Sequence, residues 1–193
     1  MGTTQPIRNL DELSRFIAYY AVTEPNPRNH LLIMTGLHTA LRISDILALH
    51  WHNVINPVSG KSRTHLSLIE HKTGKPTKIA LCIELQKAIY AYYYKEGKPH
   101  PEDYIFRAAH IPDAPLSRSQ AYRIVRKAAE NSVREKHISC HSLRKTFGYH
   151  AWKQGIPPVM LMDIYNHSSY AITKKYLGIT QDERDDVFLS VHF

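Results

Sequence analysis

Cysteine is scarce in this chain. Cys82 and Cys140 are the only two in 193 residues, too few for a disulfide framework and not spaced as a metal or redox pair. That usage suits a reducing cytoplasm. No run of 18 apolar residues occurs, so no membrane span is expected. The opening "MGTTQPIRNLDELSRF" lacks the apolar stretch of a signal peptide, and Pro6 breaks a myristoylation pattern. Although 13 histidines are present, no HExxH, CxxC or paired Cys/His cluster accompanies them, which argues against zinc. The "GKS" at 60–62 ends like a phosphate-binding loop, but Ile55 stands where that loop needs glycine. No metal and no cofactor is expected, and no internal repeat or low-complexity segment is present.

Acidic residues are outnumbered as well. Lys and Arg total 25 against 17 Asp and Glu, a net charge of +8 and a pI near 9.5. A surface of that sign meets polyanions, either nucleic acid or an acidic membrane. With 43% hydrophobic residues the chain can bury the core of one domain.

What is there reads mostly as helix. Asn9 and Glu12 form a capping pair opening a helix through "LDELSRFIAYYAV". "EPNPRN" breaks it, and "HLLIMTGLHTA", apolar on most faces, reads as a central helix. "LRISDILALHW" turns into a short helix with Ser44 as its cap and with Leu47 and Leu49 facing the core. "RTHLSLIEHKTGKPTKIALC" reads as two strands joined by "KTGK", with "HNVIN" as a third. "IELQKAIYAYYYKEG" is a helix ending at Gly97, its tyrosines divided between core and a wetted face. After a proline-rich loop, Ser117 and Gln120 box the start of a basic helix. "ISCHSLRKTFGYHAWKQG" is closed by Gly155, and Pro157 or Pro158 opens the next helix. Ser168 is placed as the cap of "SYAITKKYLG", and residues 182–193 as a short amphipathic tail helix. The fold class is α+β, mostly α-helical, with one small antiparallel sheet of about three strands.

Several residues stand out by context. Arg42 lies between Leu41 and Ile43 at a helix entry, where it either pairs with a carboxylate such as Asp45 or meets a ligand. Lys72 sits in the hairpin turn. His141 and Arg144 share a helix face three residues apart, His167 precedes another helix, and Tyr176 follows nine residues later. Together they suit a phosphodiester site that works without metal. Two guanidiniums can hold the non-bridging oxygens by charge-assisted hydrogen bonds, a lysine can protonate a leaving 5′-oxygen, and a phenol can attack phosphorus as an imidazole takes its proton.

On these residues the sequence resembles the tyrosine recombinase (phage integrase) family, in its catalytic domain. The family's ordered set falls on Arg42 in "ALRISD", Lys72 in "HKTGKP", His141 and Arg144 in "HSLRKT", His167 in "NHSS" and Tyr176 in "TKKYLGI", with Asp45 as the supporting acidic residue. The resemblance covers about residues 6–193. It implies a single catalytic domain, without the N-terminal DNA-clamping domain of larger members, that cuts and rejoins DNA through a 3′-phosphotyrosyl bond. Arg42 and Arg144 would grip the phosphate, His141 would assist proton transfer, Lys72 would be the general acid and His167 would hydrogen-bond the phosphate. It further implies double-stranded DNA as partner, a homo-oligomer (a tetramer) on DNA whose tail helix passes to a neighbouring subunit, an accessory DNA-binding protein in place of the clamp, and a cytoplasmic, bacterial or phage setting. Two other readings stay open: an accessory or regulatory DNA-binding protein with this fold, and a type IB topoisomerase-like relaxing enzyme. Two departures are visible. Lys145 stands where a second histidine is common, and Asn166 where glycine is usual; Asn tolerates the left-handed turn nearly as well.

Overall fold

The computed structural model describes residues 4–109, 111 and 113–192. Residues 1–3, where a myristoylation pattern would begin, His110 and Pro112 of the proline-rich loop, and Phe193 of the tail lie outside the described residues. Ten helices and one hairpin follow in chain order among them: α1 (Leu10–Ala18), α2 (Pro27–Thr39), α3 (Ile43–Leu47), α4 (Trp51–Val54), β1 (His65–Ile69), β2 (Pro76–Ala80), α5 (Ile83–Lys95), α6 (Arg118–Glu130), α7 (Cys140–Lys153), α8 (Pro158–Tyr165), α9 (Tyr170–Leu177) and α10 (Thr180–Ser190).

Helix α2 is the axis of the molecule. Leu31, Leu32 and Ile33 are buried in succession, so no face of the helix is left to solvent at that level. One side packs with Trp51, Leu66, Leu85 and Phe106 of α4, the hairpin, α5 and the following loop. The other packs with Ile7, Phe16, Val125 and Leu143 from the N-terminal arm, α1, α6 and α7. A third apolar cluster joins α7 to α8 and α9 through Tyr149, Leu161, Tyr165 and Leu177. Two glycines set the spacing around α7. A Cβ on Gly36 would meet the Leu143 side chain, and one on Gly148 would meet the Tyr165 hydroxyl and Leu177. Their absence lets three helices close on α7 at backbone distance.

Local chemistry explains most element starts. Asn9 Oδ1 accepts from the Glu12 amide at 2.9 Å, Ser117 and Gln120 form the reciprocal box, and Pro158 occupies the first turn of α8. The tyrosine run divides between core and surface: Tyr92 is buried, Tyr90 and Tyr94 exposed. Leu47 and Leu49 are buried as their spacing requires.

Several elements depart from the sequence reading. Only two strands form among the described residues, antiparallel with Leu66 opposite Ile79. The segment expected to be a third coils into α4, because Trp51 and Val54 reach the core as one helical turn, and Ile55 makes a lone bridge to Ser62. Arg42, not Ser44, occupies the cap position of α3. Ser169, not Ser168, caps α9, its Oγ accepting from the Ile172 amide at 3.3 Å. Helix α1 ends at Ala18 and widens into a π turn over Tyr19–Thr23 that keeps both tyrosines buried. Helix α10 begins at Thr180, buries none of its residues and is not amphipathic. Its acidic residues fill the first turns and Val187, Phe188 and Leu189 stand consecutively at the end, so polarity is divided along the axis and not around it. Among the described residues no helix is long and apolar enough to cross a membrane.

Candidate active site

Ala40 ends α2 in the left-handed conformation, φ 54°, a strained choice for a residue with a Cβ. The turn aims Arg42 into a cleft of about 400 Å³ that is also lined by His71, Lys72, Arg118, His141 and Arg144. Four of the six expected residues thus share one cleft, contributed by α2–α3, the hairpin turn and α7. The remaining two join it through His141. The ring of Tyr176 stands edge-on to His141 and to His167, each with centroids 5.1 Å away. All six come together, from segments more than 130 residues apart.

Each member is held by a distinct partner. Arg42 ion-pairs with Glu70, a buried carboxylate that also accepts from the Thr73 and Thr77 hydroxyls at 3.3 Å. The sequence left a pairing with Asp45 open for Arg42, and the partner is Glu70 instead. Asp45 is buried and acts on the hairpin: its Oδ1 accepts the His71 amide at 2.9 Å, anchoring the turn that carries Lys72. Lys72 itself is exposed. Arg144 is only 4% exposed. It donates to the carbonyl of Ala40, so the strained turn also fixes the second guanidinium, which lies 4.6 Å over the Tyr165 ring. The Tyr165 hydroxyl donates back to the Arg144 carbonyl at 2.8 Å. His167 follows Asn166, which takes the left-handed conformation, φ 55°, as its side chain allows. The Nδ1 of His167 bonds the buried Thr173 hydroxyl at 3.0 Å, which leaves Nε2 for the site.

The nucleophile candidate is the least satisfied group. The Tyr176 hydroxyl is buried without a well-formed hydrogen bond of its own, and the Arg144 guanidinium is the polar group that reaches it. Burial pushes its pKa up to about 12 against the opposing pull of the Arg144 and Arg42 guanidiniums. Part of His141 reaches the surface, but its imidazole is packed against Tyr176, and that burial comes first in pushing its pKa down to about 4. The charges of Lys145, Arg144, Arg42 and Lys72 follow. Burial also lowers His167, with Arg144 and Arg42 adding to it. Both imidazoles are therefore neutral at pH 7 and able to accept a proton. No group of three or more His, Cys, Asp or Glu side chains that could hold a metal occurs among the described residues. The cationic charge here is supplied by side chains.

Glu70 escaped the sequence reading, and Lys145 entered it only as a departure from the family pattern. Glu70 follows Leu66 and Leu68 at period two, so strand alternation already turned it inward; a carboxylate placed there needs a cationic partner. Lys145 is buried, 4% exposed, on the inward face of α7. Its Nζ lies 5.2 Å from the Tyr176 ring centroid and donates to the Thr4 carbonyl at 2.7 Å.

Residues 9–183 match the Phage integrase family. The chain belongs to that family. Among its relatives, the probable integrase/recombinase YoeC of Bacillus subtilis (strain 168) is 40% identical over 182 residues, 94% of this chain and 93% of YoeC. The XerA recombinase crystal structure superposes with a TM-score of 0.77 at 18% identity, covering 100% of this chain and 68% of XerA. The XerH site-specific recombinase bound to palindromic difH substrate, in a post-cleavage complex, gives a TM-score of 0.71 at 19% identity, over 91% of this chain and 50% of XerH. At those identities the two superpositions speak for the fold. The chain spans about half the length of several longer recombinases it matches. By family and by fold, then, this is a tyrosine recombinase whose packing brings the expected site residues to one place.

Proposed function

We propose that this tyrosine recombinase cleaves and rejoins double-stranded DNA at specific sites through a covalent bond between Tyr176 and a 3′-phosphate. The observation that carries the reading is the buried Tyr176 hydroxyl, which lacks a well-formed hydrogen bond of its own, beside two neutral imidazoles and two guanidiniums. A buried polar atom without such a bond costs stability, and a site that awaits a phosphate explains why the cost is kept.

In this mechanism a DNA phosphodiester enters the cleft and Arg42 and Arg144 hold its non-bridging oxygens. The Nε2 of His167, left free by the Nδ1–Thr173 contact, hydrogen-bonds the same phosphate. The Tyr176 oxygen attacks phosphorus, its proton passes to His141, and the P–O5′ bond breaks as Lys72 protonates the leaving oxygen. The 5′-hydroxyl so formed, or that of another strand, reverses every step, so the bond energy is conserved and no ATP is required. A phenol near 12 and an imidazole near 4 do not exchange a proton at rest. Transfer has to accompany O–P bond formation, when the phenol oxygen loses electron density and the bound phosphate's charge raises the basicity of His141. The resting enzyme is thereby kept from spurious ionisation.

The net charge of +8 supports a duplex partner, and XerH, named above, was crystallised bound to palindromic difH substrate. Exposed Val187, Phe188 and Leu189 at the end of α10 support an assembly in which the tail helix docks on a neighbouring copy. The deciding experiment is Tyr176→Phe on a nicked suicide duplex: binding within severalfold of wild type and no covalent adduct. An adduct that persists in this variant would move the nucleophile elsewhere.

A further inference from the structure

Helix α9 carries Tyr176 on slender support. It buries two of its eight residues, Thr173 and Leu177, and ends at Gly178 in the left-handed conformation, where the helix itself has no amide to offer the cap carbonyl. The N-terminal arm, residues 4–8, supplies the missing contacts. Four polar residues on one face of α7, Lys145, Thr146, Tyr149 and His150, all meet this arm, and none belongs to the six-residue site. Lys145 Nζ donates to the Thr4 carbonyl at 2.7 Å. Thr146 Oγ1 accepts from the Ile7 amide and His150 Nε2 donates to the Ile7 carbonyl, both at 2.9 Å. The Arg8 guanidinium lies 5.1 Å over the Tyr149 ring, and Ile7 beside it is fully buried.

So fixed, the arm reaches α9 at two points. Through Lys145, whose ammonium is 5.2 Å from the Tyr176 ring centroid, it backs the ring itself. Through Arg8 it holds the helix end: Nη2 donates to the Gly178 carbonyl at 2.7 Å and Nη1 to the Asp182 carboxylate at 2.9 Å. A Cβ on Gly178 would come within 3.2 Å of that Nη2, so the guanidinium is seated close against the backbone. One side chain thereby ties α7, the end of α9 and the first turn of α10 together, two residues beyond Tyr176. We propose that the arm is a strap that sets the position of Tyr176, with Arg8 as its positioning residue. The proposal rests on Tyr176 being the nucleophile. In-line attack fixes the phenol oxygen relative to a phosphate gripped by Arg144, and a misplacement of about 1 Å costs on the order of a hundredfold in rate. Arg144 and the arm's anchors share α7, so the strap registers the nucleophile helix against the helix that grips the phosphate.

The test uses protein labelled with 3-fluorotyrosine, in which the Tyr176 fluorine signal is assigned by its loss in Tyr176→Phe and read without DNA. Arg8→Gln should shift that signal. It should also slow adduct formation about tenfold at saturating nicked duplex, while duplex affinity stays within about threefold of wild type. Arg8→Lys keeps the charge but lacks the fork that spans carbonyl and carboxylate, and should fall between the two. A residue that only stabilised the fold would lower the thermal midpoint and move neither reading in protein that is still folded. Asp182→Asn is the second variant should Arg8→Gln fail to fold; it removes one anchor, keeps the Gly178 contact, and should move both readings the same way by less. An unmoved Tyr176 signal in the folded variant, or an unslowed rate at saturation, overturns the proposal. If Tyr176→Phe still forms the adduct, the nucleophile reading fails separately, and the fluorine signal alone decides whether the strap holds Tyr176.

Discussion

The two walls of the cleft are built differently. The α7–α9 wall carries His141, Arg144 and Tyr176 on helices and His167 on the turn between α8 and α9, and its neighbours Leu143, Leu161, Tyr165 and Leu177 are among the most buried residues of the chain. The opposite wall carries Lys72 on a hairpin turn exposed at His71, Lys72, Gly74 and Lys75, anchored by the Asp45 contact at its base and by Lys75 Nζ on Asn166 Oδ1 at 3.1 Å near its tip. The packed wall stores geometry, because a nucleophile and its phosphate grip must be placed to within fractions of an ångström before reaction. The exposed wall delivers a proton, which a flexible side chain can bring after DNA has entered. Loss of a group from the first wall should disturb fold and chemistry together; from the second, chemistry alone.

Lys72→Ala should break the comparison most visibly. Cleavage of ordinary DNA should slow by about 10²–10⁴, the usual contribution of a positioned acid, while thermal stability moves by less than about 0.5 kcal/mol. A substrate with a 5′-bridging sulfur, whose thiolate leaves without a proton, should be cut almost normally; equal defects on both substrates would reject the acid role. Gly148→Ala tests the packed wall. Its added methyl meets Tyr165 and Leu177 and should cost about 1–3 kcal/mol in denaturant unfolding, with adduct formation falling alongside; an unchanged midpoint would show that α8 and α9 yield freely. Glu70→Gln lies between the two walls. It leaves Arg42 without its anion, and should lower stability by about 1–2 kcal/mol, with cleavage falling about tenfold as the guanidinium wanders. Lys75→Ala should do least: under about 0.5 kcal/mol of stability and only a modestly weaker, salt-sensitive grip on DNA, read from binding at two salt concentrations. A hundredfold loss of cleavage in Lys75→Ala would show that the hairpin tip contributes chemistry beyond Lys72.

Much of this was legible from residue types and spacing, and the limits fall where contacts are distant. The caps at Asn9 and Ser117, the left-handed Asn166 and the helix stops at Gly97 and Gly155 depend on neighbours three or four residues away, and they formed as expected. The six site residues could be named in order because their chemistry is specific and their local motifs are short. The third strand failed for a tertiary reason: Trp51 gains more from the core beneath α5 as a helical turn than "HNVIN" gains from pairing. The cap of α9 slipped by one residue because Ser168 and Ser169 offer the same oxygen, and only the docking of α9 on α7 chooses between them. An amphipathic tail is what its composition suggests, whereas the order of residues 180–190 separates the charges from Val187, Phe188 and Leu189 along the axis and leaves no apolar face around it.

By itself the sequence determined the chemistry available: a basic chain with two arginines, a turn lysine, two histidines and a tyrosine in a recognisable order, on helices whose local starts and stops are written in their caps. Tertiary structure alone decided the charge pairings. Arg42 meets Glu70 across 28 residues and not Asp45 three away, and Lys145 meets the carbonyl of Thr4 across 141 residues. The physical reason is that a buried charge takes whichever partner the packed helices bring within hydrogen-bond reach, and that choice follows from how α2, α7 and the hairpin close around one core, not from any spacing along the chain.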